Sequence, residues 1–346
     1  MAKRGSAALN CRVFYHDHCF DGACSASVFT RFHRECIGTA RDFSYFGLMH
    51  RAGSLFDESA FLGPDEGENA IVDFKYSASP RVTWWFDHHQ SAFLTPEDQR
   101  DFLAWQAQAE AAGGVGAGKP VHGGKFYDPN YVSCTSLIAD IARDRFGFDT
   151  APLAELIRWA DIVDGARYES AEAAVEMAAP AMKLTMVIES SGEGFVPRVI
   201  PLLTEMSLQE VLDQPFVQAE LGPLMERHRG GIELLRERTT LDRGVVTFDI
   251  TDKLTEGYNK FIPYYLHPAA TYNVGLSRSS FRVKVAVGTN PWTKVPVAEL
   301  ANLAGICERY GGGGHARVGA VSFPPDREED AREAAAEIAG ELRARA

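Results

Sequence analysis

Before residue 90, three short stretches concentrate the side chains that bind divalent metals. Tyr15-His16-Asp17-His18-Cys19-Phe20-Asp21-Gly22 packs imidazoles and carboxylates into one turn. Val72-Asp73-Phe74 sets a single acid after an apolar run, and Phe86-Asp87-His88-His89-Gln90 sets an acid before two adjacent imidazoles. Imidazole with carboxylate suits Mn²⁺, Fe²⁺ or Zn²⁺, and several carboxylates together lean towards Mn²⁺. His16, His18, Asp21, Asp73 and the Asp87-His88-His89 triplet are the candidate centre. Adjacent histidines diverge, so one of His88 and His89 can hold a metal while the other reaches a substrate, with Asp87 orienting its neighbour. Two ions sharing Asp73 would activate a water and clamp a phosphoryl oxygen without a serine or cysteine nucleophile. A further acid is expected where Trp159-Ala160-Asp161-Ile162-Val163-Asp164-Gly165 closes a helix; Asp161 and Asp164 both remain open, with Asp164 favoured beside the glycine. Taken singly, each stretch also has an ordinary reading, as a polar turn, a helix cap or a solvated helix end. Their recurrence after successive apolar runs favours chemistry.

The elements that must position these residues are strands. Arg12–Tyr15, Ala70–Val72 and Arg81–Phe86 read as apolar strands, each ending at an acid or imidazole. That is the layout of an open parallel α/β sheet, whose ligands bind outside the carboxyl ends of the strands. Helical periodicity covers 23–33, 136–146, 152–162, 171–182 and 208–238, and 111–124 reads as a flexible loop rich in alanine and glycine. From residue 244 strand patterns return at 244–250, 271–276, 281–287 and 318–323, with helices at 299–309 and 327–345. The expected organisation is a metal-binding α/β domain over 10–165, a helical connecting region over 166–243 and a smaller α/β domain over 244–346.

Within the last region, Gly311–Gly314 followed by His315 and Arg317 exposes backbone N–H groups to a phosphate or carboxylate. Gly312, Gly313, Gly314, His315, Arg317 and Arg278 are therefore candidate substrate contacts. Trp292 fits a core position better than a stacking platform. The run lacks the Lys-Ser/Thr ending of a phosphate loop, and no Gly-x-Ser-x-Gly elbow occurs.

Composition narrows the class. The 346 residues carry a formal net charge of −12, with 45% hydrophobic and 24% charged residues. This describes a globular protein and argues against charge-driven wrapping of long duplex nucleic acid, while leaving a short anionic substrate at a local cluster. Six scattered cysteines without a paired spacing suit a reduced, cytoplasmic protein. No apolar run suits a membrane span and no secretory leader is expected. A homodimer stays open.

The motifs resemble those of the DHH phosphoesterases with a DHH-associated C-terminal domain. Asp87-His88-His89 is similar to the name-giving motif, His16–Gly22 to the first motif, Val72–Ser77 to the second, and Gly311–His315 to the glycine-histidine signature of the C-terminal domain. The resemblance covers about 12–165 and 244–325. It implies two domains with a cleft between them, one or two Mn²⁺ ions, and hydrolysis of phosphodiesters, phosphomonoesters or phosphoanhydrides. By resemblance His16, Asp21, Asp73, His88 and Asp164 are ligands, and His89 and His315 contact substrate phosphate with Arg317 nearby. Cys19 stands where many members carry Asp, His18 where this branch often has Asp, and Lys75 replaces a common Ser. Short single-stranded oligonucleotides and nucleotide phosphates are the first expected substrates. Pyrophosphate or polyphosphate hydrolysis, and a nucleotide-binding regulator, are the alternatives.

Overall fold

The computed structural model describes residues 9–38, 40–51, 53–111, 123–254 and 257–345. The chain divides into two compact units, one made of Met1–Arg167 and Ala178–Leu221, the other of Tyr168–Met177 and Gly222–Ala346. The stretch 166–243, expected as one connecting region, is thus shared between them.

The first unit runs β1 (Leu9–His16), α1 (Phe20–Phe32), β2 (Ala40–Leu48), β3 (Gly67–Val72), β4 (Trp84–Asp87), α2 (Pro96–Ala111), β5 (Gly124–Tyr127), α3 (Cys134–Phe146) and α4 (Ala154–Asp164). After α5 (Ala171–Val175), which belongs to the second unit, it resumes with α6 (Pro180–Ser190), α7 (Val196–Glu205) and α8 (Leu208–Leu212). The strands pair in the order β2-β1-β3-β4-β5, all parallel. β3 and β4 are buried almost throughout, as a parallel sheet covered on both faces requires, which is why they read as continuous apolar runs. One face packs Phe14, Ile71 and Trp85 against Phe74, Tyr76 and Phe102. On the other, Phe32 of α1 meets Trp84 edge-on at 5.8 Å and Phe29 lies 6.0 Å from Phe86.

This strand order places a topological switch point between β1 and β3, because the chain leaves β1 towards one edge and returns to build towards the other. All carboxyl ends lie at one edge of a parallel sheet. Tyr15 pairs with Val72 and Val72 with Phe86, so the residues that follow come into line.

The expected helix over 171–182 is two helices. Pro180 begins α6 and forces extended backbone on Ala179, and Met177 takes a positive φ of 53°. The stretch 208–238, expected as one or two helices, is two: α8 and α9 (Pro215–Arg238). The loop expected over 111–124 falls mostly on 112–122, outside the described residues.

The second unit continues through β6 (Thr240–Asp242), β7 (Val245–Leu254), α10 (Ile262–Leu266), β8 (Tyr272–Arg278), β9 (Val283–Thr289), α11 (Leu303–Glu308), β10 (Gly313–His315), β11 (Val318–Phe323) and α12 (Glu328–Arg343). Its sheet has the order β10-β11-β9-β8-β7-β6, antiparallel except between β7 and β8. Val283, Val285 and Val287 alternate inward against Ile338 and Leu342 of α12. Among the described residues no helix is long and apolar enough to cross a membrane.

Candidate metal centre

His16 is the last residue of β1, Asp73 follows β3, and Asp87 ends β4 with His88 and His89 directly after it. The Asp73 amide donates to the Phe86 carbonyl at 2.9 Å, tying the second stretch to the third. Asp73 itself has a φ of 56°, a region a non-glycine residue enters only where its surroundings hold it. Asp21 sits in the first turn of α1, and a Cβ on Gly22 would lie 2.1 Å from the His16 carbonyl oxygen. Gly22 is needed there for room.

Asp73 is 1% exposed, and neither of its carboxylate oxygens has a hydrogen-bond partner. Around it, His16 Nδ1 lies 3.5 Å from Oδ2, while His88 Nε2 and His89 Nδ1 lie 3.5 and 3.8 Å from Oδ1. His88 Nε2 is also 3.7 Å from Asp21 Oδ2 and from Asp164 Oδ2. These separations are too long for good hydrogen bonds. With bonds of about 2.1 Å, two ligands of one ion stand about 3.0–3.4 Å apart, so the spacing suits donors converging on cations. Three ligand groups result: His16 with Cys19 and Asp73, Asp73 with His88 and His89, and Asp21 with His88 and Asp164.

The rings are aimed by their other nitrogens. His88 Nδ1 lies 3.1 Å from the Tyr131 carbonyl, which can only accept, so in the neutral ring Nε2 carries the lone pair that a ligand needs. His89 Nδ1 donates to Asp87 Oδ1 at 2.7 Å, and the same oxygen accepts the amides of His88 and His89. Asp87 is fully buried and positions the turn. The Asp21 carboxylate is held by the N-terminus of α3, accepting from the amides of Cys134 at 2.7 Å and Thr135 at 3.1 Å and from the Thr135 hydroxyl at 2.6 Å.

The electrostatics are those of an acid-rich pocket. Burial pushes the Asp21 carboxyl well up, with Asp73 and Asp164 adding to it, and burial with Asp73 raises Asp164. Burial also opposes ionised Asp73, but His16, His88 and His89 outweigh it and hold that carboxyl well below the usual range. Burial would lower His88, yet Asp73 and Asp21 drive it up to about 10. His89 is raised chiefly by its bond to Asp87, and burial beside Asp73 and Asp21 raises the Cys19 thiol well above its ordinary value. Carboxylates gathered out of water need compensating positive charge. Without an ion protons supply it, and a divalent cation satisfies the same atoms, so the donor set fits one.

Other expected residues lie elsewhere. His18 joins no ligand group; its backbone turns to φ 52° and its ring faces Asp17 at 3.8 Å. Asp161 accepts from the hydroxyls of Ser133 and Ser136 at 2.6 and 2.7 Å, which leaves Asp164 as the acid facing His88. In the second unit Arg278 is ion-paired with Glu328 at 2.5 Å, and Trp292 donates to the Tyr168 carbonyl at 2.9 Å. The glycine run is partly a strand: Gly313, Gly314 and His315 pair with β11. A Cβ on Gly312 or Gly314 would stand 2.2 Å from a β11 carbonyl oxygen, whereas one on Gly313 meets nothing within 4 Å. His315 is exposed, and Arg317 donates to the Asn290 carbonyl at 3.3 Å.

Sequence reading did not assign Cys19 a ligand's place, although it stands between His16 and Asp21. It also missed the Tyr131 carbonyl and the α3 amides, which have no side-chain signature; Ser133, a residue type that caps helices and here accepts from the Ser136 amide, could have marked where the α3 amides begin.

No family model matches the sequence, and neither does any curated protein. Among solved structures the chain is similar to the pGpG-specific phosphodiesterase PggH from Vibrio cholerae, at 17% identity and a TM-score of 0.64 over 98% of this chain and 100% of that one. It also matches an exopolyphosphatase-related protein from Bacteroides fragilis (11% identity, TM-score 0.49, 97% and 93% of the two chains). RecJ from Thermus thermophilus in complex with Mn²⁺ matches at 13% identity and a TM-score of 0.41, over 96% of this chain and 52% of that one. The first match shows a shared fold along the whole chain.

Proposed function

We propose that the chain is a metal-dependent phosphoesterase of the DHH kind, hydrolysing short oligonucleotides or nucleotide phosphates. Its proposed ligands are His16, Asp21, Asp73, His88 and Asp164, holding one or two divalent ions, with Mn²⁺ the first candidate. The observation that carries the reading is Asp73, a buried carboxylate with both oxygens unpartnered amid three imidazoles. A bound divalent ion there polarises a phosphoryl oxygen and acidifies a water.

The chain's own residues supply the rest. The Tyr131 carbonyl and the α3 amides fix His88 and Asp21 before any ion arrives. Asp87 favours the protonated ring of His89, whose Nε2–H then donates to a substrate phosphate oxygen as charge develops. In the second unit the Gly312–Gly314 backbone, His315 and Arg317 are the proposed anion contacts. The shared fold with a pGpG-specific phosphodiesterase supports placing short oligonucleotides first.

The test is phosphate and mononucleotide release by chelator-stripped protein resupplied with Mn²⁺, Mg²⁺ or Zn²⁺ singly. The panel holds pGpG, di- to pentanucleotides, bisphosphorylated adenosine, cyclic dinucleotides, pyrophosphate and polyphosphate. Metal-dependent release from the nucleotide members, abolished in His88→Ala, is the expected result. Release from pyrophosphate or polyphosphate alone replaces the ester reading with an anhydride one. Silence across the panel with metal bound replaces it with a nucleotide-binding role.

A further inference from the structure

Among the described residues Cys19 is the one cysteine that shares a ligand group with imidazole and carboxylate. Its Sγ, a ring nitrogen of His16 and a carboxylate oxygen of Asp73 all lie within 4.8 Å of one another. Cys11, Cys24 and Cys134 are buried thiols of the ordinary kind, whereas Cys19 is only partly buried, at the N-cap of α1 with extended backbone (φ −129°, ψ 130°). Its carboxylate neighbour is 1% exposed with both oxygens unpartnered, and His16 Nδ1 is unpartnered too. The thiol therefore donates to neither, and the three donors converge with no hydrogen bond among them.

Resting on the metal-centre reading above, we propose that Cys19 is a thiolate ligand and that the centre has two unequal positions. Nitrogen, sulfur and oxygen donors at His16, Cys19 and Asp73 favour Zn²⁺, Fe²⁺ or Co²⁺, because a soft thiolate selects against Mg²⁺ and Mn²⁺. Asp21, His88 and Asp164 offer only imidazole and carboxylate, which suit Mn²⁺ and other harder ions. Asp73 also groups with His88 and His89, so it is the carboxylate common to both sides.

Cobalt reports a thiolate ligand directly, through a sulfur-to-metal charge-transfer band in the near ultraviolet. Chelator-stripped protein is loaded with Co²⁺ and its bound metal counted alongside the spectrum, for wild type, Cys19→Ser, Cys19→Asp and Cys36→Ser. The band is expected in wild type and Cys36→Ser and absent from both Cys19 variants, with cobalt still bound at the oxygen-rich group. In competition, Cys19→Asp loses Zn²⁺ affinity relative to Mn²⁺, because the carboxylate no longer favours the softer ion. Bound cobalt without the band in wild type, or a band that survives in Cys19→Ser, overturns the thiolate and leaves the metal centre standing. Wild type that binds no cobalt overturns the metal centre as well. Far-ultraviolet circular dichroism separates ligand loss from misfolding, and the wild-type spectrum decides the matter even where a variant fails to fold.

Discussion

Replacing Asp73 by Asn removes the charge shared by two of the three ligand groups while keeping the side chain's shape. Its effect can be worked out from binding linkage. An ion that binds only the folded state stabilises it by about 2.7 kcal/mol at a hundred times its Kd. In a unit of about 150–250 residues, the class to which the first unit belongs, each kcal/mol moves Tm by about 2–4 °C. Ions at that excess therefore raise the melting of wild type by about 5–10 °C. If Asp73→Asn weakens binding about 100-fold, the most that losing a partner one step removed from a metal typically costs, the same concentration equals Kd and the gain falls to about 0.4 kcal/mol, or 1–2 °C. The amide NH₂ also turns a donor towards His16 or His88, against any ion. Differential scanning calorimetry of stripped protein with and without Mn²⁺ or Zn²⁺ reads both shifts, and each variant's metal-free melt serves as its own reference. A full wild-type shift in Asp73→Asn would refute the placing of the ion at this carboxylate.

Metal affinity should rise with pH. His88 is held protonated up to about 10 and an ion needs the neutral ring, so binding between pH 6 and 8 displaces at least one proton and apparent affinity climbs about tenfold per unit. Titration calorimetry in two buffers of different ionisation enthalpy counts the protons, and a count of zero contradicts the His88 assignment. Asp87→Ala strips the acceptor from three N–H groups in a buried turn and should cost about 3–5 kcal/mol, with Asp87→Asn, which keeps an acceptor oxygen, costing clearly less. Equal losses in urea melts of the two variants would mean that the acceptor is not what stabilises the turn. Gly314→Ala should lower the stability of the second unit by more than about 1 kcal/mol, its Cβ meeting the Val318 carbonyl at a φ of 149°. Gly313→Ala should stay within about 0.5 kcal/mol, and thermal melts that fail to separate the two would show that the β10–β11 approach is not what demands glycine.

The strands that carry the centre were legible because parallel pairing buries both faces, so β3 and β4 had to be apolar runs with sharp ends and the polar residue after each stood out. β2 was hidden because it is an edge strand whose exposed residues interrupt any apolar pattern, and β5 has only four residues. α2 buries Phe102 alone and so shows no apolar stripe. In the centre, side-chain chemistry pointed to His16, Asp21, Asp73 and the histidine pair. It could not separate His16 from His18, which differ in that one ends an extended strand and the other sits in a left-handed turn. The glycine run suggested an exposed loop, but two of its glycines are dictated by the close passage of β11.

The second unit's claim on Tyr168–Met177 has a consequence for how the chain is made. Every proposed metal ligand precedes Gly165, and the first unit is complete once Leu221 has been synthesised. Domains form as units, amino-terminal first, as the chain leaves the ribosome. The carboxylate and imidazole cage can therefore close while Gly222–Ala346 is still being added. Ala171, Ala174 and Val175, buried in the finished protein, must wait meanwhile for Asn259 and α10, whose arrival is marked by the bond from Asn259 Nδ2 to the Ala174 carbonyl at 2.8 Å. A chain stopped at Leu221 would keep its cage and display an orphaned apolar helix, an attachment point for chaperones and a first site for proteolysis.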